Sequence, residues 1–201
     1  AAAGARVTVV DLSAAMLDLD RQVARERKLH LELIQSSMDD LRMLKDGRFD
    51  LVIHPVSSCY LPSLAKLFVE IFRICRPGGS YMSQHKSPRN LQSSLQPNSN
   101  GRYELVYPEV RSVDDSKALP PAPSSRLREV GTNEFIHSLT DIVGGICHAG
   151  FCIEDFFEPS EGEREAAHGS FAHRAAFLPP YIRILARKYG QGATLQPVVV
   201  Q

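Results

Sequence analysis

Four short groups of residues carry side chains able to do chemistry, and each sits at the end of an apolar run. They are Asp11 after RVTVV (6–10), Ser36 to Asp40 after LHLELIQ (29–35), His54 to Tyr60 at the end of RFDLVIHPV (48–56), and Gln84 to Lys86 closing SYMSQ. A carboxylate in Asp11's position can accept both hydroxyls of a ribose through charge-assisted hydrogen bonds, or it can end the strand and help cap the following helix. Spacing alone leaves both roles open. His54 and His85 end neighbouring runs, and an imidazole that titrates near neutral pH suits a general base; each equally suits a hydrogen-bonded structural role. His137 and His148 stand eleven residues apart, three turns along one helix face, which is too far for shared metal ligation. HGSFAHR (168–174) holds two histidines five apart beside Arg174 and reads as a polar loop rather than a metal site. No metal site is expected.

These groups must be held by regular elements, and the pattern supplies them. Residues 6–10 are β-branched and apolar, and Ser13 is placed to cap a helix whose Met16, Leu19 and Val23 keep 3 and 4 spacing. The runs at 29–35 and 48–56 read as further strands, with a short helical segment between them around Asp39 to Leu44. After Pro62 the set Leu64, Leu67, Phe68, Ile71, Phe72, Cys75 makes a helical stripe that stops at RPGG (76–79), before the strand SYMSQ. Strands alternating with helices imply an α/β, doubly wound, mostly parallel sheet with right-handed crossovers. Ligands bind such sheets beyond the carboxyl ends of the strands, where the four groups lie.

From Lys86 to Gly131 the pattern breaks under six prolines and QPNSNG, apart from a short strand candidate RYELVY (102–107). The segment 86–131 reads as an irregular insertion or lid within a single domain of 1–201. Phe135, Leu139, Ile142, Val143 and Ile146 restore helical spacing, with Asn133 as the cap and Gly150 after the end. Gly144-Gly145 inside this helix implies close backbone packing against the sheet. CIEDFFE (152–158) and YIRILARK (181–188) read as an antiparallel hairpin at the sheet edge.

Composition narrows the function. Twenty-three basic and twenty-three acidic residues cancel among 201, and the basic ones form no stripe, which argues against nucleic acid or an anionic membrane as partner and favours small molecules. No apolar run approaches the roughly 18 residues of a membrane span. Four cysteines without a CxxC pair suit a reducing cytoplasm. The oligomeric state is not legible.

VTVVDLS, QSSMDDL, RFDLVIHPVSSCYLPSL, FRICRPGGSYM and FIHSLTDIVGGICHAGFCIEDFFEP resemble, in order and spacing, the motifs that follow the glycine loop in class I S-adenosylmethionine-dependent methyltransferases, most of all small-molecule enzymes of the methyltransferase-11 kind. The resemblance covers most of residues 5–86 and 132–188. It implies strand order 3-2-1-4-5-7-6 with an antiparallel seventh strand inserted beside the fifth. The family's first strand and its GxGxG loop precede the first matching motif and are not found in this sequence, so the chain is expected to be an N-terminally truncated domain, with the strands at 6–10 and 48–56 lacking their shared neighbour.

By position, the resemblance makes Asp11 the ribose ligand and Leu12 the adenine-lining residue. Ser37, Met38 and Asp39 fall at the adenine edge, where the family often has an acid in place of Ser37. His54, Pro55 and Ser57 fall beside the transferred methyl group, His54 and His85 being the candidate bases and Pro55 a cofactor contact. Ser57, Tyr60 and His137 are the candidate substrate contacts. The implied function is methyl transfer from S-adenosylmethionine to a small acceptor. Two alternatives stand beside it: a non-catalytic methyltransferase-like binding module, and a nicotinamide-dependent oxidoreductase that shares the strand-end acid.

Overall fold

Uninterrupted β-branched and apolar runs pack well on a pleated surface, and those near residues 7, 31, 49 and 80 all extend in the computed structural model, which describes residues 1–108, 131–159 and 161–190. The chain divides into two units, Ala1–Lys45 and Asp46–Gln201. In the first, β1 (Val7–Asp11) pairs in parallel with β2 (Leu31–Gln35), Val9 opposite Leu33 and Asp11 opposite Gln35. Helix α1 (Ala14–Glu26) makes the crossover, and the Ser13 hydroxyl caps it by accepting the Met16 N–H at 3.3 Å. The buried residues of α1 are Leu17 and Ala24. Met16, Leu19 and Val23 stay half-exposed, because apolar spacing marks a helix without saying which of two apolar faces is covered. Residues 39–44, expected to be helical, form successive turns instead. Arg42 there grips the Asp40 carboxylate with two bonds of 2.7 and 2.8 Å, a local pairing that competes with a helical turn.

The second unit holds a four-stranded sheet in the order β3-β4-β6-β5. β3 (Phe49–Pro55) and β4 (Cys75–Lys86) are parallel, and β6 (Tyr181–Arg187) runs antiparallel to both β4 and β5 (Cys152–Phe157). With the resemblance's strands 2 to 7 taken as β1 to β6, the expected neighbours 3-2 and 4-5-7-6 are those observed. The 152–188 pair is antiparallel as expected, but β6 is interior and only β5 lies at the edge. Among the described residues, no strand pairs with the second edge of β1 or of β3.

Helix α2 (Ala65–Ile74) connects β3 to β4; of the stripe read from the sequence Leu64, Leu67, Phe68, Ile71 and Cys75 are buried and Phe72 is half-buried, and Ile74 is buried besides. Lys188 reaches back to end it, donating to the Phe72 and Cys75 carbonyls at 2.7 and 2.8 Å, a cation on the negative helix end. β4 begins at Cys75, so RPGG lies inside the strand; its ladder with β3 shifts register between Phe49 and Leu51 to absorb the extra residues.

The described part of the insertion is more ordered than expected. It contains α3 (Pro88–Gln92) and, in place of a strand at 102–107, a single antiparallel bridge from Ser93 to Leu105. Residues 109–130 lie outside the described residues. The expected polar loop at 168–174 is largely α4 (Phe171–Ala175), with His173 and Arg174 buried. Arg174 donates to the carbonyls of Asn90, Ser93 and Ser94 and to Asn90 Oδ1, at 2.5 to 3.0 Å, and so ties α4 to the end of α3.

The helix expected from 135 starts later. Residues 132–138 are not helical; from Leu139 a π-helical turn (Thr140–Gly144) leads into an α-helical turn (Gly145–His148). Ser138 and Asp141 cap its start reciprocally, the Asp141 carboxylate accepting from Ser138 N–H at 2.9 Å and the Ser138 hydroxyl from Asp141 N–H at 3.1 Å. Asn133 therefore has no capping role, and His137 and His148 do not share a helix face. Gly150 has φ +108° and stands against the Phe72 ring, which only glycine permits there.

The two adjacent glycines differ. A Cβ on Gly145 would lie 2.8 Å from the Phe68 ring, so the close packing is against α2 rather than the sheet, whereas one on Gly144 would meet nothing nearer than 3.7 Å. Gly144→Ala is expected to stabilise the protein by up to about 1 kcal/mol through helix propensity, and Gly145→Ala to destabilise it by about 1 to 3 kcal/mol through overpacking. Urea midpoints that move together would contradict this assignment.

Candidate functional site

The chemistry-bearing residues of the first unit gather at the carboxyl ends of its two parallel strands. Asp11 closes β1, and its Oδ1 accepts the Ser13 N–H at 2.7 Å, which fixes the turn into α1 and the carboxylate's direction. The ladder continues one step, Ser36 N–H donating to the Asp11 carbonyl at 3.1 Å. Leu12 leaves 70% of its surface exposed. Beyond β2, the Ser37 hydroxyl donates to Asp39 Oδ1 at 2.5 Å, and Ser36 Oγ donates to the Asp40 carbonyl at 2.8 Å. Asp11, Leu12, Ser37, Met38 and Asp39 thus stand at two adjacent strand ends, a half-buried rim with one conspicuous apolar side chain.

The second unit builds a different environment at the ends of β3 and β4. After His54 and Pro55 the chain reaches Val56, whose φ of +54° puts a β-branched residue in the left-handed region. Such strain persists only where surrounding bonds enforce it and collects at functional sites; here the Val56 N–H is held by the Gln84 carbonyl at 2.7 Å. The reversal starts a 3-10 turn (Ser57–Tyr60) that sends two successive serines to two histidines. Ser57 Oγ lies 3.0 Å from His54 Nε2, and Ser58 Oγ lies 2.8 Å from His85 Nδ1. Tyr81, on β4, bonds His54 Nδ1 at 2.9 Å through its hydroxyl.

A third strip closes the cluster. Phe135 N–H donates to the Cys59 carbonyl at 2.8 Å, and His137 Nε2–H to the Leu61 carbonyl at 2.9 Å, laying residues 134–138 along the turn. Beside them Lys86 Nζ meets Glu134 Oε2 at 2.8 Å, with both side chains almost fully buried. Lys86 Nζ also stands 5.9 Å above the Tyr60 ring. Breaking such a pair from one side costs about 3 to 5 kcal/mol, because it strands the other charge.

Sequence reading gave roles to His54, Ser57, Tyr60, His85 and His137; it held Ser58 and Lys86 within its strand-end groups without a role, and missed Tyr81, Glu134 and the strain at Val56. An interior tyrosine and a Lys–Glu pair 48 residues apart carry no local signal. SLTD at 138–141, a capping pattern, could have moved the helix start and left Glu134 to Ser138 free to line the strand ends.

The surroundings of the histidines differ from those of an ordinary base. Burial pushes the His54 imidazole down to about 4 and that of His85 to about 3, the latter helped by the neighbouring histidines His54 and His137. Burial also lowers His137. Neither His54 nor His85 titrates near neutral pH as a base should. A histidine kept neutral in the fold takes up its proton more readily when unfolded, so its stabilising contribution is complete above pH 6.5. It is lost as pH falls through the window down to the folded values, at about 1.4 kcal/mol per pH unit for each histidine. His54→Gln and His85→Gln should each make the decline of unfolding free energy between pH 6.5 and 4 shallower by about that slope. A variant whose decline parallels the wild type would exclude its histidine as a buried neutral group.

Comparison with known proteins identifies the architecture. A family model described as a methyltransferase domain matches residues 1–83. An uncharacterized methyltransferase of Bacillus subtilis, YbaJ, is 31% identical over 166 residues, which are 81% of this chain and 63% of that protein. The methyltransferase phqN of Penicillium fellutanum is 24% identical over 149 residues, 74% of this chain and 39% of that protein. The chain therefore spans roughly two fifths to three fifths of the length of these relatives. Among solved structures, an S-adenosylmethionine-dependent methyltransferase from Mesorhizobium loti superposes with a TM-score of 0.64 at 21% identity, covering 90% of this chain and 80% of that one. Residues 1–83 thus resemble a methyltransferase domain, and the chain as a whole has the fold of S-adenosylmethionine-dependent methyltransferases of known structure.

Proposed function

We propose that the protein transfers the methyl group of S-adenosylmethionine to a small-molecule acceptor. The observation that carries this reading is the insertion of antiparallel β6 between β4 and β5, together with parallel neighbours on the other strands. A nicotinamide-binding sheet has no need of that arrangement, and the acid at the end of β1 is common to both.

The strand-end residues fit a nucleoside. Asp11 uses one oxygen on Ser13, and its carboxylate would take the ribose hydroxyls through charge-assisted bonds. Leu12, left exposed by the fold, would lie on the adenine, as would Met38. Ser37, whose proton goes to Asp39, keeps its lone pairs for the adenine amino group, which a neutral serine would hold more weakly than an acid. When bound, S-adenosylmethionine supplies a methyl group on a positively charged sulfur, already activated for in-line displacement. The protein's work is then to align donor and acceptor and to exclude water. Pro55 and Ser57 would flank the methyl group, and Tyr60 and His137 would contact the acceptor, with the 86–131 insertion as its cover. His54 and His85, uncharged at neutral pH, would contribute hydrogen bonds and shape there.

Calorimetric titration of S-adenosylmethionine into the protein should give saturable binding, and NAD none. Asp11→Ala should weaken binding by about 1 to 3 kcal/mol, the range for losing hydrogen bonds to a charged group. Absence of S-adenosylmethionine binding would overturn the function, while binding indifferent to Asp11→Ala would overturn the ribose assignment alone.

A further inference from the structure

Tyr81 is fully buried, wedged between the rings of Phe68 and Phe151 at centroid distances of 6.4 and 5.5 Å. Burial raises its pKa, so its hydroxyl keeps the proton at any ordinary pH. That proton needs an acceptor, since a buried O–H left unpaired forfeits the hydrogen bond it made to water. His54 Nδ1 lies 2.9 Å away. The competing oxygen is Ser83 Oγ, two residues further along the same face of β4; it stands near enough to oppose the rise in the Tyr81 pKa, but it is buried and makes no hydrogen bond of normal geometry.

His54 itself is neutral near pH 7, so one ring nitrogen carries a proton and the other a lone pair. A proton on Nδ1 would point at the phenol oxygen and leave the Tyr81 hydrogen with no partner. A lone pair on Nδ1 accepts that hydrogen and puts the imidazole proton on Nε2, 3.0 Å from Ser57 Oγ. With no hydrogen bond formed by Ser83 Oγ, only the second arrangement gives both donors an acceptor at hydrogen-bonding distance.

We propose that Tyr81 fixes His54 in the tautomer protonated on Nε2, so that His54 donates to Ser57 and positions that hydroxyl at the strand end instead of taking a proton from it. The hydrogen-bonded chain runs one way, Tyr81 O–H to Nδ1, then Nε2–H to Ser57 Oγ. Tyr81 is a positioning residue acting through His54, and the sequence-based role of His54 as general base is replaced by that of a fixed donor. None of this depends on methyl transfer.

The test is nitrogen NMR of the ligand-free protein with 15N-labelled histidine, because protonated and lone-pair ring nitrogens have well-separated shifts. The protein has seven histidines, and the His54 signals are those lost in His54→Gln. At pH 7 the wild type should show Nε2 protonated and Nδ1 bare. Ser57→Ala should keep that tautomer, and Tyr81→Phe should lose it, giving averaged shifts or the reversed pair. A proton on Nδ1 in the wild type would overturn the proposal, as would a tautomer that survives Tyr81→Phe but switches in Ser57→Ala. Should Tyr81→Phe fail to fold, the wild-type spectrum and Ser57→Ala still decide. Failure of S-adenosylmethionine to bind would leave this result untouched, so the two conclusions fail separately.

Discussion

Strand β4 is hydrogen-bonded along both edges, parallel to β3 on one side and antiparallel to β6 on the other, and the second unit depends on it. A strand fixed twice cannot slip its register, since a one-residue shift would turn every side chain to the opposite face. Its alternation therefore decides what the interior contains. Tyr81, Ser83 and His85 go inward, while Met82 stays about half-exposed. Three consecutive inward positions are polar or carry a polar group, an unusual filling for a central strand, and the neighbouring segments have to supply partners for them. The strained turn at Val56 follows from that demand. Only a sharp reversal after Pro55 brings Ser57 and Ser58 back within reach of His54 and His85.

The irregular parts are held by polar ties whose charges are dealt with in two different ways. Lys86 and Glu134 cancel one another in a nearly dry setting, an arrangement whose net gain over apolar packing is small but whose geometry is demanding. Among the described residues, Arg174 directs its hydrogen bonds to no carboxylate. It spends its donors on carbonyl oxygens at the end of α3, and burial brings its pKa down to about 10. In both cases a residue near a regular element pins a segment that lacks the periodicity to pack by itself. The insertion's first twenty residues and the strip 134–138 owe their places to these contacts more than to hydrophobic pattern.

This division explains what was legible in the sequence. Strands β1 to β6 and helix α2 could be read because periods of 2 and 3.6 are written locally. Ser13 and Gly150 could be read because caps are short-range. The start of the helix near 140 was misread because Phe135 fits helical spacing while residues 132–138 lack regular structure and are bonded instead to the segment at 59–61. The Ser138–Asp141 capping pair, equally local, was the better signal. Asn90–Arg174 and Lys86–Glu134 are separated by 84 and 48 residues; only the fold brings them together. In the first unit Asp11 was legible as a strand-end acid, but its bond to Ser13, which turns one oxygen away from any ligand, was not.

The histidines show how burial changes chemistry that residue type suggests. An imidazole at a strand end invites the role of base, since its ordinary pKa lies near 6.5. Enclosed by Tyr81, Phe68 and each other, at ring separations of 5.8 to 6.3 Å, His54 and His85 lose the solvation that a charged form requires. What remains is hydrogen bonding without charge, beside a Lys–Glu pair that is neutral overall. On the proposed function, displacement at the methyl carbon breaks the carbon–sulfur bond and passes the positive charge from sulfur to a neutral acceptor without creating net charge, so surroundings that carry none favour neither end of it. On the same proposal a base is needed only when the acceptor must shed a proton, and neutral imidazoles at the strand end would suit an acceptor that attacks without losing one.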